Sequence, residues 1–337
     1  MKNNHLHFLK FLTTNKPSRP LKIGTDCSGI EAPLIALQLL NIPYIHVFRS
    51  EIDEICNSIF KLNFNSKNVI LYNDLFNRTS IPNIDVYICG FPCQSFSLNG
   101  RYREGFDTID NQGIIFFKCF EVIKNTKPIF FILENVKGLI SHNKGETFSI
   151  ILKYLHSLSD YNIYYQVLNT KDYCIPQNRP RIYIVGIKKK NQIKNFIFPN
   201  PINNCNNIMT ILDKNCNCSS NKPNIYCNIL TPHKKNILTD HHINTNENYF
   251  VNLNVSSISR SAAMKNIVPC LVTGHSYYST LLKRDLIPRE LLRLQAFPDE
   301  FNIDGLSKAK AYKITGNTMS VNVLAFLFNQ ILKTIKI

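Results

Sequence analysis

Short apolar runs stopped by glycine, proline or an acid alternate, through the first half of the chain, with stretches whose apolar positions recur every three or four residues. A brief β-rich run reads as a buried strand, and the wider spacing reads as one face of a helix. Strands are thereby predicted from Leu21 in LKIGTD, over 44–48, 68–71, 86–89 and 129–133, and then over 164–168 and 181–187. Helices are predicted on Ile30, Leu34, Ile35, Leu37 and Leu39, over 114–124 and 147–158, and near the end over 283–301, closing at Pro298, and 321–331. The alternation is compatible with helices layered on a mostly parallel sheet, an α/β fold. Two stretches stand outside it. Residues 1–20 are basic, end in Lys16-Pro17-Ser18-Arg19-Pro20 and read as an extended lead-in. From Lys188 to about residue 250 the chain turns to Lys, Asn, Cys and His with little hydrophobic period, the clearest domain boundary.

Composition adds further constraints. With 337 residues, 44% of them hydrophobic and 18% charged, the chain can bury a real core as one large domain or two modest ones. Its 39 Lys and Arg against 23 Asp and Glu leave a formal charge of +16. Such an excess favours a polyanionic partner, because neutralised phosphates release counterions. The opening MKNNHLHFLKFL is not a persuasive secretory leader, and no long apolar span suggests a membrane. The 11 cysteines are therefore expected as reduced thiols of an intracellular protein. Cys205, Cys216, Cys218 and Cys227, with His233, His241 and His242 nearby, invite a zinc reading that their spacing opposes. The Cys216-x-Cys218 gap is tighter than common zinc turns and no second matching pair follows, so no metal is expected.

Candidate chemistry sits where predicted strands open into turns, the edge at which α/β sheets gather ligands. The turn from Thr25 to Gly29 feeds a helix and can bring backbone donors close to a ligand. Glu51 follows Gly29 by 22 positions. That is near the ~20-residue spacing at which an acid beyond the second strand takes ribose hydroxyls. Asp74 follows the third predicted strand. The stretch GFPCQSFS, 90–97, organises the whole chain: Phe91 and Pro92 fix Cys93 just past a strand end, and the polar Gln94, Ser95 and Ser97 have no use in a core. The residues up to 114, rich in Gly and Arg, read as a lid. There Arg101 and Arg103 could meet phosphates. Glu134 stands at the end of the strand predicted beside that of Cys93. Arg179 and Arg181, two apart on an extended segment, face the same way and can project together into one site.

The segments Pro92-Cys93-Gln94, Glu134-Asn135-Val136, Gln177-x-Arg179-x-Arg181, Pro288-Arg289-Glu290 and Gly316-Asn317-Thr318, in this order, resemble those of the cytosine-5 DNA methyltransferases. The resemblance implies a Rossmann-like S-adenosylmethionine-dependent methyltransferase fold, with a mixed, mostly parallel sheet plus a smaller target-recognition domain. The catalytic domain would span 1–189, completed by 305–337, and the recognition domain 190–304. The implied reaction is methyl transfer to carbon 5 of cytosine in double-stranded DNA by a monomer; a tRNA cytosine-5 methyltransferase is the alternative. Carbon 5 is too electron-poor to take a methyl group directly, so a nucleophile must first add to carbon 6, for which a thiolate is best suited. By resemblance Cys93 is that nucleophile, acting on a flipped base. Glu134, its pKa raised by desolvation, would hold a proton at ring nitrogen 3. Arg179 and Arg181 would hold the base's carbonyl oxygen or a nearby phosphate. Cofactor contacts are carried to Cys27, Ser28, Gly29, Ile30, Glu51, Ile52, Asp74, Leu75, Pro92, Asn317 and Thr318, with Glu51 on the ribose and Asp74 on the adenine amine. DNA contacts are carried to Ser95, Ser97, Asn99, Arg101 and Arg103. The chain departs from the family in its first turn, where Cys27 stands for the usual Phe, and Glu31 and Ala32 replace a Gly pair.

Overall fold

A run such as Val86, Tyr87, Ile88 and Cys89, apolar at every position, has no face to offer water and is stable only inside a sheet covered on both sides. All four side chains are fully buried in the structure, a computed structural model that describes residues 3–78, 80–92, 115–213 and 230–337. In chain order the elements begin with β1 (Leu21–Asp26), α1 (Ala32–Leu39), β2 (Tyr44–Ser50), α2 (Glu54–Asn63), β3 (Ile70–Tyr72) and β4 (Val86–Gly90). They continue with α3 (Ile115–Thr126), β5 (Phe130–Val136), α4 (Glu146–His156), β6 (Tyr161–Asn169), β7 (Gln177–Asn178) and β8 (Pro180–Lys188). Beyond these come α5 (Pro232–Asp240), β9 (Tyr249–Asn252), β10 (Ala263–Lys265), β11 (Val268–Pro269), β12 (Tyr277–Ser279) and β13 (Arg284–Asp285). Three helices close the chain: α6 (Pro288–Leu294), α7 (Lys308–Asn317) and α8 (Val321–Leu332). Among the described residues no helix is long and apolar enough to cross a membrane.

Two compact units share the chain. The first comprises Phe11–Leu168, Pro180–Asn200 and Val323–Ile337. Its sheet runs β3-β2-β1-β4-β5-β8-β6, and the strands from β3 to β5 pair in parallel while β8 is antiparallel to β5. This is the mixed, mostly parallel sheet expected. Parallel strands end on a common edge, so the residues following β1, β2 and β4 are gathered there together with the end of β5. Apolar side chains of β4, β5, α3 and α4, among them Tyr87, Phe116, Phe131, Leu133 and Ile151, form the core beneath that edge.

The second unit comprises Met1–Lys10, Asn169–Arg179 and Pro201–Asn322. It holds an antiparallel sheet, β10-β9-β12-β13, and a short parallel pair, β11-β7. One core cluster packs Ile208, Leu271, Leu286, Leu291 and Tyr312, and another packs Ile237, Leu238, Val251 and Tyr278. The domain limits at 190 and 304 are a reading of composition and resemblance; the compact units group 169–179 and 305–322 with the antiparallel sheet.

Several sequence expectations are corrected. The lead-in is not extended throughout, since Asn4–Phe11 forms a 3-10 helix that buries His5 and Phe8 completely. The single helix expected over 283–301 is instead strand β13 followed by the two turns of α6. Cys174 and Cys205 form a disulfide, so the expectation of reduced thiols throughout does not hold for this pair. Two hydrogen bonds, from Ile202 N–H to Asp172 O and from Asn206 Nδ2 to Lys171 O, hold the two cysteine loops together.

Candidate active site

The turn after β1 is held on both sides of Gly29. Its N–H donates to Glu51 Oε2 at 2.7 Å, and its carbonyl accepts from Arg49 Nη2 at 2.9 Å. Arg49 and Glu51 are two apart at the end of β2, which turns both side chains the same way. Gly29 has a φ of 54°, which glycine adopts without the usual steric cost, and a Cβ built there would meet nothing within 4 Å. The space above the turn is therefore open. Ser28 is buried and donates its N–H to Ser50 O, while Ile30 is wholly buried.

Glu51 Oε1 also accepts the Asp53 N–H at 2.9 Å. A carboxylate has about four acceptor positions, so two backbone donors leave room for hydroxyl groups. Burial pushes the Glu51 carboxyl above its usual range, opposed by those two N–H groups. Ile52 is 78% exposed, an uncommon setting for a large apolar side chain directly beside a half-buried acid. Asp74 Oδ1 caps the short 3-10 helix 75–77 through Phe76 N–H, and Leu75 is buried. The Cys27 side chain packs against the core, close to Cys89, which in turn lies 3.4 Å from Cys119, sulfur to sulfur. A cavity of about 330 Å³ between α2 and β3 is lined by Arg49, Glu54, Asn57, Phe60, Tyr72 and Asn73 among others; Glu51 and Asp74 do not line it.

The β4–β5 register sets Gly90 beside Glu134. From there the chain passes through buried Phe91, whose carbonyl accepts Asn135 Nδ2 at 3.2 Å, to Pro92. Cys93 is next in sequence; it lies outside the described residues, as do Ser95, Ser97, Asn99, Arg101 and Arg103. On the other flank β8 sets Arg181 opposite Val136, diagonal to Glu134, within the reach of a long side chain. Arg181 Nε approaches Glu134 Oε1 at 3.3 Å, with both side chains about nine-tenths buried.

Arg179 is used differently. Its guanidinium donates to the carbonyls of Leu271 (2.9 Å), Gly316 (3.1 Å) and Thr318 (2.8 Å), all within the second unit. The two arginines thus have separate partners, main-chain carbonyls for Arg179 and a carboxylate for Arg181. Thr318 is buried, and Asn317, at the end of α7, is exposed.

Sequence reasoning gave no role to three residues that shape the Gly29 turn, Arg49, Glu31 and Asn57. Glu31, in the left-handed region at φ 63°, accepts from Arg49 Nε at 2.9 Å and from Thr25 Oγ1 at 3.1 Å. Asn57 on α2 accepts from Arg49 Nη1 and donates to Glu51 O. The departure from the glycine pair at 31–32 was the visible signal: a buried acid in a turn needs a cation.

Comparison with known proteins identifies the family. A family model described as C-5 cytosine-specific DNA methylase matches residues 26–333. The chain is 35% identical to the Type II methyltransferase M.NgoBI of Neisseria gonorrhoeae, covering 83% of each chain. It is 34% identical to the Type II methyltransferase M.HaeII of Haemophilus aegyptius, again over 83% of each. Its fold is similar to that of the S. pombe Dnmt2 methyltransferase, with a TM-score of 0.66 and 19% identity over 93% of this chain and 98% of the other. The chain therefore belongs to the C-5 cytosine-specific DNA methylase family and is a DNA (cytosine-5) methyltransferase with S-adenosylmethionine as its methyl donor.

Proposed function

We propose that the chain methylates cytosine in duplex DNA through a transient bond between Cys93 Sγ and carbon 6 of a base flipped out of the helix. The observation that carries this reading is the β4–β5 register, which sets the strand leading into Cys93 beside Glu134, itself paired with Arg181. Cys93 loses its proton and adds as thiolate, and the electrons of the ring's 5,6 double bond make carbon 5 nucleophilic. Glu134 shares a proton with ring nitrogen 3 and stabilises the charge that addition places on the ring, while Arg181 orients the carboxyl group. S-adenosylmethionine supplies the methyl group from its sulfonium. Loss of the carbon 5 proton to water then expels Cys93 and restores the ring. Flipping is needed because a stacked base covers its own face.

The open Gly29 turn, the acceptor positions left on Glu51 and the exposed Ile52 fit the donor. In this reading Glu51 receives the ribose hydroxyls, Ile52 covers one face of the adenine and Asp74 accepts its amine. Ser95, Ser97, Asn99, Arg101 and Arg103 follow Cys93 closely and contact the DNA.

The test is covalent capture on duplex DNA containing 5-fluorocytosine, which blocks loss of the carbon 5 substituent. The unsubstituted protein forms a stable adduct and Cys93→Ser forms none; an adduct of undiminished yield in the variant excludes Cys93 as nucleophile. Methylation of duplex DNA measured beside tRNA decides the substrate, and transfer to tRNA alone overturns the DNA reading.

A further inference from the structure

The Gly29 turn is built on left-handed residues that are not all glycine. Cys27 has φ 47° and Glu31 φ 63°, on either side of Gly29 at 54°. Side chains raise the free energy of that conformation, so surrounding contacts must hold it. Arg49 supplies three of them. It is 2% exposed and donates through Nε to Ser28 Oγ (3.2 Å) and Glu31 Oε1 (2.9 Å), and through Nη2 to Gly29 O (2.9 Å). A third donor, Nη1, reaches Asn57 Oδ1 at 2.5 Å, and the guanidinium lies over the Phe60 ring at 4.3 Å. One planar cation therefore touches residues 28, 29 and 31 at once, which only a forked donor set can do.

The contacts form a closed circuit. Gly29 N–H binds the Glu51 carboxylate, Glu51 O binds Asn57 Nδ2, Asn57 Oδ1 binds Arg49, and Arg49 returns to Gly29 O. The N–H that orients Glu51 lies in the Ser28–Gly29 peptide, and Arg49 clamps the residues on both sides of it through Ser28 Oγ and Gly29 O, so a rotation there would withdraw one of the donors that orient Glu51. We propose that Arg49, anchored by Glu31 and Asn57, is a positioning residue for the methyl donor: it holds the Ser28–Gly29 segment and, through the Gly29 N–H, the Glu51 carboxylate that meets the ribose. The inference rests on the assignment of Glu51 to the donor made above. It gives the departure at 31–32 a purpose, since a buried ion pair here does what flexible glycines could not, namely hold the turn in one shape before the ligand arrives.

Calorimetric titration with S-adenosylhomocysteine, alongside duplex DNA binding and thermal denaturation, tests it. Arg49→Met leaves Glu31 buried without its cation and lowers stability. The double variant Glu31→Gln with Arg49→Met removes that penalty, so its melting temperature recovers while ligand affinity stays about tenfold or more below that of the unsubstituted protein. Asn57→Ala, which leaves no charge unpaired, also weakens the ligand while DNA affinity changes less than about twofold. Recovery of ligand affinity together with stability in the double variant, or an Asn57→Ala protein that binds ligand normally, overturns the proposal and leaves Arg49 as a counter-charge alone. Glu51→Ala separates the two levels of inference. If it leaves ligand affinity intact, the Glu51 assignment fails, whereas weak binding by Glu51→Ala with normal binding by the double variant removes only the role of Arg49.

Discussion

Glu134 can act on a base only as a carboxyl group that is both held and chemically available, and its diagonal pairing with Arg181 across β5 and β8 meets the first need. Glu134→Gln keeps the shape and removes the proton-sharing chemistry. Its single-turnover methylation rate is expected to fall on the order of 10² or more, the usual contribution of a positioned acid or base. Binding of S-adenosylhomocysteine, measured by calorimetry, is expected to stay near that of the unsubstituted protein. A turnover within a few-fold would remove Glu134 from the chemistry. The place of Glu134 near the end of β5 was legible because a charged residue that closes an apolar run has no packing use. Arg179 and Arg49 were not, because sequence spacing says which way an arginine points and not what waits there. Arg179 meets three carbonyls, and Arg49 meets an acid 18 positions away whose burial cannot be read from the chain alone.

Helix α6 shows what the Pro288-Arg289-Glu290 segment does as an element. Glu290 is fully buried at the start of the helix and accepts the N–H groups of Ile287 and Asp213 as well as both terminal nitrogens of Arg284. It closes the helix's first turn and ties it to β13 in one stroke. Glu290→Gln would leave the buried Arg284 without its counter-charge, a loss of about 3–5 kcal/mol. Urea unfolding checks the value, and a change below ~1 kcal/mol would show the pair to be dispensable. The Leu stripe of this helix was readable from spacing, and Leu291, Leu292 and Leu294 are all buried. Helix α7 was not, because KAKAYKITGN is rich in lysine and offers only the brief stripe Ala311, Tyr312 and Ile314; its start is set by Ser307, whose hydroxyl accepts Lys310 N–H. The central strands β4 and β5 were the most legible elements, since burial on both faces imposes the apolar runs from Val86 to Cys89 and from Phe130 to Leu133.

At the scale of the molecule, the second unit is assembled from three distant parts of the chain, and this long-range assembly has no local signature. Residues near the start illustrate it. Asn3 exchanges hydrogen bonds with Asp299, and His5 Nε2 lies 2.7 Å from Phe297 O, 292 positions away. With no exposed surface, His5 is costly to charge: burial, opposed by the Phe297 carbonyl and the charge of Asp299, lowers its pKa from 6.5 to about 4. An unfolded chain takes up this proton near pH 6.5, whereas the folded one refuses it down to about pH 4. Between those values the unfolded state binds more protons, so stability is full above the window and is lost as the pH falls through it. The shift corresponds to roughly 3 kcal/mol by the lower end. His5→Gln keeps a donor for the Phe297 carbonyl and cannot titrate. Urea midpoints at pH 7 and near pH 4.5 should therefore differ less for this variant than for the unsubstituted protein, because the variant no longer has a proton to exclude. Equal acid losses in the two proteins would mean that His5 takes its proton in the folded state as readily as in the unfolded one, and that its burial does not seal the chain's beginning against this unit.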